Sequence, residues 1–254
     1  MERKSFLRNG LTALGLAAIA PLASSCKKST YDDSSIASPA SSSSSASSSS
    51  SGSCSVSPTE TAGPYPTKSP SSYVRSNITD GQAGVPLTIK ISILNTNDNC
   101  AVLANAMVDI WHCTAVGYYS EYVDGPGGSY STVDLTGLHY LRGRQTTDAN
   151  GLVTFTSIFP GWYSGRAPHI HAHIYNASGT SLLITQIAFP TDICNTVYTT
   201  ASDYKAHGTQ DTANTADTVF SDSLSNELAT VTGSVSGRLC ADAYHLCSCV
   251  NHGE

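Results

Sequence analysis

Apolar and polar residues alternate strictly over residues 87–93, where Thr88, Lys90 and Ser92 separate Leu87, Ile89, Ile91 and Ile93. Successive side chains of a β-strand point to opposite faces, so this pattern makes a ribbon with one apolar and one wet face. Such a ribbon has to bury its apolar face against further layers of structure. The period of two recurs at 107–111, 152–158, 169–175 and 182–189, and more weakly at 230–235. Turn formers punctuate the gaps, as in Asp148-Ala149-Asn150-Gly151 and Asp124-Gly125-Pro126-Gly127-Gly128. Only residues 220–228 carry a short helical pattern. The expected fold is all-β, a β-sandwich with long loops. Residues 120–143 form a long stretch without clear period, and long ordered loops are often functional.

The chain divides by composition into three parts. Residues 1–25 read as a signal peptide: Arg3, Lys4 and Arg8 precede an apolar run over 11–23 that is too short to span a bilayer. Small residues before Cys26 resemble a bacterial lipobox, and residues 3–8 resemble a twin-arginine signal with Lys in one Arg place. Residues 26–57 read as a lipidated Cys26 followed by a serine-rich linker too polar to offset chain entropy. Residues 58–254 fit one domain. The expectation is an exported protein, periplasmic or at the cell surface, attached to a bacterial membrane only through a lipid on Cys26. With 13 Lys and Arg against 19 Asp and Glu, and no basic cluster, nucleic acid is not an expected partner. Seven further cysteines (54, 100, 113, 194, 240, 247 and 249) favour disulfides in an oxidising compartment, with at least one thiol left over. Cys240, Cys247 and Cys249 with His245 and His252 also admit a metal-cluster reading, though staples are the commoner use.

Residues 161–171 hold the densest chemistry. Tyr163, Arg166, His169 and His171 fall within nine residues. On a strand, His169 and His171 share a face with Cα atoms roughly 6.5 Å apart, close enough to lean toward one ion. Tyr163 can return to that ion across the turn marked by Pro160-Gly161 and Gly165, and Tyr118 or Tyr119 offers a second phenol. Two phenolates and two imidazoles suit a hard, highly charged ion such as ferric iron better than zinc. Few acids lie near Arg166 in the sequence to pair with it. Singly these residues are weak signals, since most strand histidines are satisfied by hydrogen bonds and most β-domain tyrosines are core.

Taken together the motifs resemble the intradiol ring-cleavage dioxygenases, the non-haem ferric enzymes that include protocatechuate and catechol dioxygenases. The matching stretches are Thr61-Ala62-Gly63-Pro64-Tyr65, Val108-Asp109-Ile110-Trp111-His112-Cys113, Leu141-Arg142-Gly143-Arg144-Gln145, Thr147-Asp148-Ala149-Asn150-Gly151, and Pro160-Gly161-Trp162-Tyr163 through Pro168-His169-Ile170-His171. The order and span look most like an exported, single-domain branch. The resemblance implies iron ligands Tyr119, Tyr163, His169 and His171, with Tyr118 as the register competitor of Tyr119. It implies that Arg166 and Gln186 line the substrate pocket, that Tyr163 exchanges off the metal to take a substrate proton, and that His173 is not a ligand. The implied reaction takes a small aromatic diol and dioxygen and opens the ring between the hydroxylated carbons, giving a muconate-type diacid.

The helical dimerisation region of catechol-type members has no counterpart here, and the sequence leaves oligomeric state open. The competing reading is a non-catalytic exported module that binds catechol-type ligands or iron through the same four side chains. A zinc hydrolase is a third reading, disfavoured by the tyrosine pair.

Overall fold

A computed structural model describes residues 56–124 and 133–247. The expected signal peptide, Cys26 and the serine linker lie outside these residues, as do Cys54, Cys249 and His252. In chain order the strands are β1 (Pro86–Asn95), β2 (Ala101–Val102), β3 (Met107–Trp111), β4 (Val123–Asp124), β5 (Val133–Asp134), β6 (Arg142–Thr146), β7 (Leu152–Ile158), β8 (His169–Tyr175), β9 (Ser181–Ala188), β10 (Thr230–Gly233) and β11 (Leu239–Cys247). Short helices α1 (Thr191–Thr200), α2 (Ser202–Lys205) and α3 (Leu224–Glu227) fall between β9 and β10. The protein is an all-β sandwich.

One sheet centres on β1, which pairs parallel with β11 and antiparallel with β7 and β2, while β10 pairs outside β11. The other runs β6-β3-β8-β9, all antiparallel. The alternation read from the sequence sets the contact between them. Leu87, Ile89, Ile91 and Ile93 of β1 are fully buried in one cluster with Val108 and Ile110 of β3, Ile170, Ala172 and Ile174 of β8, and Leu183 and Ile187 of β9. Each Val, Leu or Ile among them contributes about 1.5–3 kcal/mol when fully buried. Facing residues of both sheets therefore supply one core.

The structure departs from the sequence reading in three places. Residues 120–143 are not featureless, because β4 and β5 pair within them and β6 begins there. Helix α1 fills a stretch with no expected helix. It buries Cys194, Val197 and Tyr198, spaced three and four apart on one face. Its threonines mask that signal, and Thr196, Thr199 and Thr200 bond back to the carbonyls four residues before them. The C-terminal cysteine-rich segment contributes β11, a strand at the heart of a sheet. Cys100 and Cys240 are disulfide-bonded, while Cys113 and Cys194 are buried free thiols. Among the described residues no helix is long and apolar enough to cross a membrane.

Two histidines away from the outer face of β8 are fully enclosed. His112 donates from Nδ1 to the Cys113 carbonyl (2.9 Å) and its Nε2 meets Ser157 Oγ (2.7 Å). His245 has no polar partner for either ring nitrogen among the described residues. Burial pushes each imidazole down to about 4. A folded-state value below the ordinary one means the unfolded chain binds the proton first. Each histidine's contribution is therefore intact above about pH 6.5 and declines as pH falls toward 4, reaching a loss of about 2 kcal/mol per histidine at pH 5. The variant His245→Leu should lose less stability than the parent between pH 7.5 and 5.0 in urea titrations, by about that amount. Equal losses in the two proteins would show that His245 is not held neutral by burial.

Candidate metal centre

Strand β8 must send Ile170, Ala172 and Ile174 into the core, so His169, His171 and His173 emerge on the opposite face of its sheet. Register then brings a row of side chains together. His171 pairs with Trp111 on one side and Gln186 on the other, and Trp111 pairs in turn with Arg142. The Trp111 indole lies flat on the His171 ring, with centroids 5.0 Å apart and planes 3° from parallel. The next row holds Asp109, Arg144 and His173. There His173 bonds Ser181 and Tyr175, both at 2.8 Å, and takes no part in the first row.

Loops roof this face. The arm at residues 61–65 is fastened by Gln186, whose Nε2 donates to the Thr61 carbonyl (2.9 Å), and by Arg142, whose Nη1 donates to the Tyr65 carbonyl (2.9 Å). Gly63 presses directly on His171: a Cβ there would lie 2.9 Å from Cε1, and the backbone has φ +68°. Only glycine allows both. Tyr65 stacks on Tyr119 with centroids 4.7 Å apart. Gly161 packs against the Thr114 and Ala115 carbonyls with no room for a Cβ, which braces the turn before Tyr163 against the segment leading to Tyr119.

Four side chains named from the sequence meet beneath this roof. His169 Nε2 lies 3.1 Å from His171 Nε2 and 3.4 Å from the Tyr119 hydroxyl. The Tyr163 ring is 5.6 Å from the His169 ring and 6.0 Å from Tyr119, centroid to centroid. Tyr119 is buried, whereas Tyr163 is partly exposed. Tyr118 lies elsewhere, lining a hollow of about 490 Å³ with Leu135, Leu138 and Tyr140.

The donor set can be tested against a metal ion directly. His169 Nδ1 is 2.6 Å from the Ala167 carbonyl, which can only accept, so Nδ1 carries the proton and Nε2 presents a lone pair. Burial pushes His169 down to about 3 and His171 well below its ordinary range, so both rings stay neutral and able to ligate. Burial also pushes Tyr163 up to about 12 and Tyr119 well above its ordinary value. Two Nε2 atoms point toward one buried phenol oxygen, and His171 Nδ1 has no hydrogen-bond partner among the described residues. These residues fit an ion bound by nitrogen and phenolate oxygen. Among the described residues no three His, Cys, Asp or Glu side chains converge as a metal group, so the tyrosines are needed to complete a donor set here.

Arg166 corrects one expectation, because a buried acid does pair with it. Its Nε donates to both Asp217 oxygens (3.1 and 2.9 Å) and its Nη2 to Gln186 Oε1 (2.6 Å). Asp217 is wholly buried and also accepts the Ala167 and Val219 amides at 2.7 and 2.8 Å. It therefore steadies Arg166 and, through Ala167, the carbonyl that orients His169. Sequence reasoning missed Asp217, which lies 51 residues from Arg166. Its only local signal is the bond two residues ahead to Val219, a common turn device. A second buried pair, Glu121 with Arg142 at 3.5 Å, ties the 120–143 segment to the arm carrying Tyr65.

With this geometry, the chain matches the family described as "Dioxygenase" over residues 61–218. A protocatechuate 3,4-dioxygenase beta chain from Burkholderia cepacia is 33% identical over 95 residues, which cover 35% of this chain and 38% of that one. The match thus spans well under half of the curated relative. A solved intradiol ring-cleavage dioxygenase from Tetranychus urticae superposes with a TM-score of 0.69 at 29% identity, covering 79% of this chain and 98% of that one. The dioxygenase domain of a carbohydrate-binding fusion protein from Streptomyces sp. SirexAA-E shares the fold with a TM-score of 0.54 at 24% identity, over 77% and 100% of the two chains.

Asp217→Asn should lower stability by about 3 kcal/mol in urea denaturation, because it strands a mostly buried guanidinium. Adding Arg166→Met should recover part of that loss. An unchanged midpoint in Asp217→Asn would refute the role given to this pair.

Proposed function

The chain belongs to the intradiol ring-cleavage dioxygenases, and we propose that it opens a catecholic ring between its two hydroxylated carbons using non-haem ferric iron. Tyr119, Tyr163, His169 and His171 would hold the ion. The observation that carries this reading is that His171 Nε2 and the Tyr119 oxygen lie 3.1 and 3.4 Å from His169 Nε2, beside a partly exposed Tyr163. When bound, ferric iron supplies chelation of both catechol oxygens and the electron withdrawal that makes the ring reactive toward dioxygen.

The protein's own residues divide the remaining work. Buried Tyr119, wedged between Tyr65 and His171, is the fixed phenol. Tyr163 is the phenol with room to move, and its oxygen takes the proton of one substrate hydroxyl. Arg166 has Nε and Nη2 committed to Asp217 and Gln186, which leaves Nη1 to meet charge developing on the ring. Because that guanidinium is fixed before substrate arrives, little reorganisation is needed during reaction. Trp111 and the 61–65 arm shut water away from the imidazoles. The proposal also sets the domain outside the cytoplasm on a lipid at Cys26, on the strength of the basic start, apolar run and cysteine in residues 1–26.

An oxygen electrode separates catalysis from mere binding: the iron-loaded protein should consume dioxygen when given catechol. The loaded protein should be wine-red from tyrosinate-to-iron charge transfer. His169→Ala should lose both iron and colour. Tyr163→Phe should keep iron weakly with a shifted band and lower kcat by about 10²–10⁴-fold. Full iron content and unchanged turnover in His169→Ala would overturn the assignment.

A further inference from the structure

Tyr118 and Tyr119 are neighbours in the chain but serve different places. Tyr119 reaches the donor cluster at His169, whereas Tyr118 lines a hollow of about 490 Å³. The turn before them is closed on itself. Thr114 donates its amide to the Tyr118 carbonyl (2.9 Å), and its Oγ1 accepts the Tyr118 amide (3.1 Å). The Thr114 carbonyl accepts the Gly117 and Gly161 amides at 3.0 and 3.1 Å. Among the described residues the hollow shares no lining side chain with the four candidate ligands, Arg166 or Gln186.

The walls of the hollow are largely apolar. Ala115, Val116, Val133, Leu135 and Leu138 supply the aliphatic part, and Tyr118 and Tyr140 the aromatic part. Val133 and Leu138 are 40% and 48% exposed, so the apolar lining is open to solvent. Tyr140 is only 5% exposed, and its carbonyl accepts from Ser120 Oγ (2.7 Å). Its hydroxyl has no hydrogen-bond partner among the described residues, and neither has that of Tyr118. Enclosed phenols ordinarily find one. Burial pushes Tyr140 up to about 12, so its oxygen keeps a proton to donate at neutral pH. The charged residue in the lining is Asp203, which is exposed, and no Lys or Arg joins it.

We propose that this hollow is a binding site, separate from the metal centre, for a small uncharged aromatic molecule bearing a carbonyl oxygen. Its volume falls within the roughly 300–1,000 Å³ of small-molecule pockets. The ring would pack on the tyrosine and aliphatic walls, and the carbonyl would accept from a waiting phenol hydroxyl. An anionic ligand would lose water and meet no cation. A protein partner fits less well, because a stable contact buries roughly 1,200–2,000 Å² in all and the uncovered apolar lining here amounts to two side chains. The bound molecule would rest against the 114–118 turn, which delivers Tyr119 to the donor cluster.

The probe is 1-naphthamide, which offers a carbonyl and no catechol oxygens. Equilibrium dialysis against the iron-loaded full chain should give one saturable site with a Kd of about 10–300 µM. Tyr140→Phe and Tyr118→Phe remove the donors, and at least one should weaken binding about fivefold. Leu138→Glu, a change at a half-exposed position, should weaken it about tenfold or more. Tyr163→Phe, at the metal centre, should leave the Kd within roughly twofold. Absence of saturable binding up to about 2 mM overturns the proposal, as does binding indifferent to all three substitutions at the hollow. Greater weakening by Tyr163→Phe than by those three would move the ligand to the metal centre and also overturn it. So would a dimer in sedimentation that Leu138→Glu splits, since the hollow would then belong to a second copy of the chain.

Discussion

The alternation of β8 is the constraint on which the pocket depends. Ile170, Ala172 and Ile174 are fully buried between the sheets, and no register that keeps them there can place His169 and His171 anywhere but on the opposite face. A slip of one residue would exchange the two sets, exposing the aliphatic side chains and driving imidazoles into the core. Core burial thereby fixes the orientation of the donor atoms. The same register aligns Trp111 and Gln186 with His171, so the flat indole and the amide that fastens the 61–65 arm arrive with the strand.

Two buried ion pairs hold what the sheet cannot. Burying charges costs several kcal/mol per ion before attraction is counted, so such pairs are poor devices for stability alone. Here each has a geometric use. Arg142 receives the Tyr65 and Ser120 carbonyls and so pins the arm and the segment after Tyr119 to one guanidinium. Asp217 holds Arg166 and the Ala167 amide, and the Ala167 carbonyl in turn orients His169. Several rigid contacts thus converge on the candidate ligand positions, which lie partly on loops.

What the sequence revealed follows from the range of the forces involved. The alternating strands were legible because period-two burial is a local pattern, as 107–111, 152–158 and 169–175 show. The four candidate donors that the fold brings near one another were named through a resemblance, since they fall in a recognisable order. Asp217 was not, because its partner lies far away in the chain and an isolated aspartate before Phe220 carries no periodicity. Strand β11 was hidden for another reason: its alanines, Asp242 and His245 blur the contrast between faces, and its cysteines invited a reading about chemistry. Helix α1 was hidden by threonines whose hydroxyls find partners inside the helix itself.

The parallel pairing of β1 with β11 joins residues that are roughly 150 positions apart, as Leu87 beside Leu239 shows, and contacts of such sequence separation form slowly. The chain must therefore be made through Leu239–Cys247 before the first sheet can close. Until then β1 waits with a bare edge, an invitation to pair with a neighbouring chain.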